Sequence, residues 1–253
     1  MPDFLVFQLY GAMASWGDIA VGEDRPSLGH PTKSAIMGLL AAALGIDRES
    51  DAAHTQLSQQ YAIAVCVRAN GELMRDYHTV QVPGGKHQYA CRRDELLMDK
   101  LNLNAILSKR DYRTDAFYQV AVWATVGEPA YPLASLQQYL QRPVFNLYLG
   151  RKSCPVSLPL NPVISSVVSL KQAFDAYPLA QASPWTDSLT ESELVSYYWE
   201  EGKLTAVERG MESSMTYPRR DQVSSRQRWQ FANRDEFYYA ELVKGVSSCI
   251  LVD

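Results

Sequence analysis

The stretch RDYRTDAFYQVAVWATV, residues 110–126, decides how the rest of the chain is to be read. Its first six residues echo RDYHTV at 75–80, and its second half alternates like a strand and is rich in β-branched and aromatic residues. What lies between the echoes contains a Pro-Gly-Gly breaker and a charged, partly helical middle, and reads as an arm inserted over about 81–109.

Working outward, FLVFQLYG (4–11) is apolar enough for a central strand covered on at least one face. PTKSAIMGLLAAALGI (31–46) predicts a helix, with Pro31 and Thr32 or Ser34 at its start, Ile36, Leu39, Leu40 and Leu44 as the buried stripe, and Gly45 as the stop. A second helix over 49–60 precedes a strand at 61–68, a third spans about 133–141, and a last strand falls within PVFNLYLGRKSCPVSLPL (143–160). The order approximates a β-α-β-β-α-β plan, an α+β ferredoxin-like domain over 1–162 with one long excursion.

Beyond Pro162 the pattern weakens. VSLKQAFDAY reads as a short helix, and ELVSYYWEEG, KLTAVERG and DEFYYAELVKG read as strands, giving a smaller β-rich C-terminal portion over 163–253.

With 253 residues at 47% hydrophobic content, the chain can bury a core as one large domain or two small ones. A net charge of −4 does not announce a nucleic-acid binder, but the charge is unevenly spread. Nine Lys/Arg face six acids between Arg68 and Arg113, four face none between Arg142 and Lys171, and six face two between Arg209 and Arg234. Asp187 to Glu208 holds six acids and one lysine. Ordinary solvated surfaces and a segregated basic face fit these counts equally well.

Cys66, Cys91, Cys154 and Cys249 form no CxxC or Cys/His cluster, so reduced thiols and no metal are expected. The longest apolar run, about twelve residues, is too short to span a bilayer, and no leader is visible. A soluble cytoplasmic protein with no membrane contact and no cofactor is the expectation.

Of the four histidines, His54 belongs on a polar helix face, His30 in a turn before Pro31 and His87 on the arm, which leaves His78 as a possible general base. Alternation puts Arg75, Tyr77 and Thr79 on one face of their strand, with Asp76 and His78 on the other. In the echo, Arg110, Tyr112 and Thr114 lie opposite Asp111 and Arg113. Where the first copy has His78 the second has Arg113, which suits a cationic or hydrogen-bonding contact better than a tuned base. Arg, Tyr and Thr together suit RNA, through phosphate forks, base stacking and hydroxyl contacts. The plainer reading makes Tyr77 and Tyr112 packing partners across the hairpin.

Two further stretches suit an anion. RPSLGHPTKSAIMG, from Arg25, offers the helix N-terminus with Thr32, Lys33 and Ser34; YLGRKSCP offers Tyr148, Gly150, Arg151, Lys152 and Ser153 around a glycine turn. Trp16 is either a loop anchor or a ligand contact. No P-loop, GxSxG elbow, HExxH or dinucleotide fingerprint occurs.

Taken in order, FLVFQLYGAMASWG, DRPSLGHPTKSAIMGLLAAALGI, RDYHTV, RDYRTDAFYQVAVW and YLGRKSCPVSLPL resemble the CasD subunits of the type I-E CRISPR surveillance complex Cascade, within the RAMP superfamily. The resemblance covers about 4–160, and more loosely YPRRDQVSSRQRWQFANRDEFYY. It implies a ferredoxin-like (RRM-like) RNA-binding domain whose arm is a thumb. It also implies a non-catalytic subunit of antiviral defence that holds the 5′ handle of the CRISPR RNA and caps the filament of backbone subunits. Such a subunit contacts the large subunit and meets target DNA only through the complex. Related proteins of another subtype cut precursor RNA with tyrosine, lysine and histidine side chains. The alternative is therefore a metal-independent endoribonuclease using His78 or His87, although no such triad can be placed in this chain by motif.

Overall fold

The computed structural model describes residues 1–83, 89–97, 103–178 and 194–242; His87, Cys249 and part of the inserted arm lie outside them. In chain order the N-terminal part runs β1 (Asp3–Tyr10), β2 (Met13–Ala14), β3 (Trp16–Gly17), β4 (Asp24–Arg25), β5 (Ser27–Leu28), α1 (Lys33–Leu44), α2 (Asp51–Gln60) and β6 (Tyr61–Ala69). The arm and return follow as β7 (Glu72–Pro83), α3 (Arg92–Leu96), β8 (Leu103–Thr114), β9 (Phe117–Ala124) and α4 (Leu133–Gln141). The remainder is β10 (Val163–Ser166), α5 (Leu170–Asp175), β11 (Leu194–Trp199), α6 (Ala206–Arg209), β12 (Met215–Ser225) and β13 (Gln230–Leu242).

A seven-stranded antiparallel sheet in the order β10-β1-β9-β6-β11-β13-β12 forms the frame. Its central strands are apolar at nearly every position because both faces are covered. Leu5, Phe7 and Leu9 of β1, Ile63 and Val65 of β6, and Val120 and Val122 of β9 pack under α1, α2 and α4 with Ile36, Leu40, Leu57 and Leu136. The alternate residues Phe4, Val6, Ala64, Cys66, Ala121 and Trp123 meet α5 through Leu170, Ala173 and Phe174.

α1 starts at Thr32, whose hydroxyl accepts from the Ala35 N–H, and stops at Gly45 in the left-handed region at φ 76°. The fourth expected strand sits later than the sequence suggested. Residues 143–160 carry Pro143, Pro155 and Pro159 and make only an isolated Tyr148–Pro155 bridge; β10 is the strand that pairs with β1. KLTAVERG is not a strand either, since Thr205 and Glu208 form a capping box that opens the short α6. Past Pro162, β10 to β13 extend the same sheet on both sides.

β7 and β8 pair from Glu72–Thr114 out to Pro83–Leu103 and carry the arm away from that sheet. β8 is held on its other edge by β2, and by β4 running parallel with Arg25 opposite Arg110. The two echoes do not face each other as a matched set. Arg75 stands opposite Asp111 and Tyr77 opposite Lys109, while Tyr112 stands opposite Met74. Echoed residues are 35 positions apart, an odd offset, whereas residues of like parity pair in this hairpin, so Arg75 and Arg110 emerge on opposite faces.

Candidate nucleic-acid interface

The arm presents β7 side chains to solvent because β7 is an edge strand that pairs only with β8. Tyr77 is 58% exposed, Thr79 is exposed, and His78 Nδ1 lies 3.0 Å from the Asp76 carboxylate with both groups about half exposed. Lys109 stands beside Tyr77, and Arg110 beside Asp76 on the other face.

At the arm's root, polar groups are spent on holding the chain. Arg75 forks onto Asp111 at 2.8 and 3.1 Å, and that hydrogen-bonded fork holds the Asp111 carboxyl below its ordinary pKa, against the opposing effect of burial. Tyr112 is 5% exposed and packs in the core, so it is not a free stacking platform. The Arg151 guanidinium lies 4.7 Å from the centre of its ring and donates to the backbone oxygens of Asp111 (3.2 Å) and Arg25 (3.0 Å). Arg151 is thus a latch joining three segments. Arg25 itself turns back onto the carbonyls of Gly22 and Asp24 at 2.7 and 2.9 Å. Arg113 is partly buried behind Gly29, and Lys152 and Ser153 are exposed on the rim beside the latch.

Gly150 serves the same latch. It sits at φ 83°, and a Cβ there would lie 1.9 Å from the Ser15 carbonyl oxygen, so this glycine admits the first loop rather than a ligand. Gly150→Ala is expected to cost at least about 1–3 kcal/mol from backbone strain alone, read as an earlier midpoint in denaturant unfolding. Trp16 is 1% exposed and packs edge-on to Tyr118 at 5.6 Å, which makes it the loop anchor.

The α1 N-terminus, expected as an anion site, is filled from within. Asp221 of β12 accepts from the Lys33 N–H at 2.7 Å, Thr32 is spent as the cap and lies 3.0 Å from the Ser34 hydroxyl, and the Lys33 ammonium is buried against Glu200 at 2.7 Å. A protein carboxylate occupies the position where a phosphate was anticipated.

Arg48, Arg226 and Trp229, which the sequence did not mark as ligand contacts, gather elsewhere beside Tyr148, which it did. A cleft of about 790 Å³ opens between α1, the 145–150 loop and the β12–β13 hairpin, with Arg48, Arg226, Trp229 and Tyr148 on its walls. The readable signal was the basic surplus from Arg209 to Arg234. Among the described residues no helix is long and apolar enough to cross a membrane.

The architecture has known counterparts. A chain from a structure titled "CRISPR RNA-guided surveillance complex" is 20% identical, with a TM-score of 0.64 over 95% of this chain and 90% of that one; it shares the fold. A second, "Crystal structure of Cas protein", is 26% identical with a TM-score of 0.60, covering 94% of each chain. The class is thus that of the CRISPR-associated proteins. Residues 4–236 match the family model described as "CRISPR-associated protein (Cas_Cas5)", and the chain belongs to the Cas5 family. It is 32% identical over 168 residues to the CRISPR system Cascade subunit CasD of Escherichia coli (strain K12), covering 63% of this chain and 70% of that protein.

Proposed function

We propose that this chain is a non-catalytic, cytoplasmic subunit of a Cascade-type CRISPR RNA-guided surveillance complex, and that it binds the 5′ handle of the CRISPR RNA and caps the backbone filament. The large subunit is its other neighbour, target DNA is met through the complex, and no cofactor takes part. The observation that carries the reading is Cas5 family membership combined with an arm that exposes Tyr77 beside Lys109. An aromatic face next to a cation is what an unpaired, phosphate-linked base requires.

In this reading β1, α1–α2, β6, β9, α4 and β10 form the ferredoxin-like (RRM-like) unit, supported by their strand order β10-β1-β9-β6, and β7–β8 is the thumb. Functionally we divide the chain into an RNA-binding part over 1–162 and a β-rich part over 163–253, whose first strand, β10, completes the ferredoxin-like sheet. Direct RNA contacts fall to the exposed Tyr77, Thr79, His78, Lys109, Lys152 and Ser153 and the partly exposed Arg110; Trp16, Tyr112, Gly150 and Arg151 shape the surface beneath them.

Tyr77→Ala is expected to weaken binding of handle RNA by about 5- to 150-fold, the loss of one stacked base, measured by fluorescence anisotropy. An unchanged affinity would sink the arm as the contact surface. Among the described residues the His78–Asp76 pair is the feature that favours the endoribonuclease reading. It stands half exposed on the edge strand β7, poorly placed for precise proton transfer. Incubation of the pure protein with repeat RNA in EDTA is expected to leave the RNA whole; cleavage that His78→Ala abolishes would reverse the assignment.

A further inference from the structure

The cleft behind the arm holds two cations that no carboxylate among the described residues neutralises, although the Arg226 guanidinium donates to the Ser34 carbonyl at 3.2 Å. Arg48, from the loop between α1 and α2, places its guanidinium 4.4 Å from the centre of the Trp229 ring, and Arg226 of the β12–β13 turn places its own at 5.3 Å. Among the described residues neither guanidinium meets a carboxylate within salt-bridge distance, whereas Arg219 and Arg234 of the same hairpin are paired with carboxylates; Arg220, which also lines the cleft, donates to the Phe231 carbonyl at 3.3 Å. Burial, and then the charge of Arg48, destabilise the charged form of Arg226.

The fold goes to some length to keep this arrangement. Asp51 of α2 spends its carboxylate on the Ser225 hydroxyl (2.6 Å) and on the N–H groups of Arg226 (2.7 Å) and Gln227 (2.9 Å), fixing the turn rather than neutralising the guanidinium. Gly38 makes room on α1, since a Cβ there would lie 2.7 Å from Arg226 Nη2. Trp229 is held at φ 52°, in the left-handed region that a bulky residue rarely adopts, with its ring 55% exposed. Two cations crowded on one indole, with the local acid turned elsewhere, lower their energy when an anion joins them. Asp18 and Asp47 also line the cleft and favour a ligand that places one phosphate between the arginines rather than a dense polyanion.

We infer that Arg48, Arg226 and Trp229 form a second nucleotide-binding site, distinct from the arm, that grips one phosphodiester of a single-stranded polynucleotide. Tyr148 and Asn233 on the walls are placed to meet the attached nucleoside. Ser15, Gly17 and Gly150, from the loops that latch the arm, line the same cleft, so one strand could run from the arm into it. The site rests on the proposed nucleic-acid function only for the identity of the strand; the anion site itself does not.

The test uses fluorescein-labelled oligouridine RNA and the matching DNA with the full chain. Arg48→Gln/Arg226→Gln is expected to weaken binding about 10- to 100-fold, the loss of charge-assisted hydrogen bonds to one phosphate. It should also flatten the slope of log affinity against log salt by about 0.7, as for one released single-strand phosphate. Arg48→Lys/Arg226→Lys, which keeps the charge, retains the slope and guards against a folding defect. Affinity and slope equal to wild type in the Gln pair overturn the inference. Equal losses with RNA and DNA identify the phosphate chain; losses with RNA alone add a ribose contact. A drop in Tyr77→Ala with none in the Gln pair leaves the arm standing and removes the cleft, and the converse removes the arm. Should wild type bind neither oligomer, pyrophosphate at constant ionic strength decides: a rise in melting temperature in wild type and not in the Gln pair keeps the anion site, and no rise in either overturns it.

Discussion

Arg234→Ala is expected to lose about 3–5 kcal/mol of stability. Arg234 is 9% exposed and forks onto Asp221 at 2.6 and 2.8 Å while also reaching Glu236 at 2.8 Å. Asp221 in turn accepts from the α1 N-terminus, and Glu236 takes Arg219 at 2.7 Å and His30 at 3.1 Å. Deleting the guanidinium strands two buried carboxylates whose remaining partners cannot replace a bidentate fork. Because the network joins β12 and β13 to the start of α1, the damage should spread to the packing between them. Denaturant unfolding measures the loss; a midpoint within about 1 kcal/mol of wild type would show that water or a neighbour compensates. Arg234→Lys should fall between, having charge but no fork.

Acid should attack the same network. Burial pushes the Glu236 carboxyl up, but hydrogen bonding to His30, the charges of His30 and Arg234, and a hydrogen bond from Arg219 outweigh it and hold the folded pKa at about 2. An unfolded glutamate titrates near 4.3. With the folded value below the unfolded one, the contribution is complete above about pH 5 and disappears as the pH falls from there towards 2. The gap amounts to about 3 kcal/mol at neutral pH. Wild type should therefore lose stability steeply between pH 5 and 3, and Glu236→Gln, weaker at pH 7, should show a shallower decline. Parallel curves for the two proteins would mean that other carboxylates set the acid limit.

Local signals of the fold were readable where one physical effect dominates. The cap at Thr32, the stop at Gly45 and the apolar runs of β1 and β6 each express a short-range rule, and each element formed where that rule put it. The position of β10 was not readable, because four residues are too few to show a period and the choice of strand was made by pairing with β1. The arm was legible as an excursion, but its facing was not. Which echo meets which depends on hairpin register, and one residue of shift exchanges the two faces.

For the site, residue type was legible and partnership was not. Lys33 reads as a phosphate ligand until Glu200, distant in sequence, is seen against it. Arg151 likewise reads as a free cation until Tyr112 and the Asp111 carbonyl occupy it. Arg48 and Arg226 show the reverse case: nothing near Arg48 in sequence marks it, the basic surplus of 209–234 marks Arg226 only as one cation among six, and only the fold brings both to Trp229.

The order of strands in the large sheet also bears on how the chain emerges from the ribosome. When residue 162 has been made, β1, β9 and β6 can already associate, yet the partners of their two outer edges, β10 and β11, begin only at Val163 and Leu194. For that interval a nascent sheet of very apolar strands has two bare edges, the state in which strand exchange between neighbouring chains is easiest. Slow translation just past residue 162 should therefore lower soluble yield more than an equal pause after Leu242, when every strand of the sheet has been made.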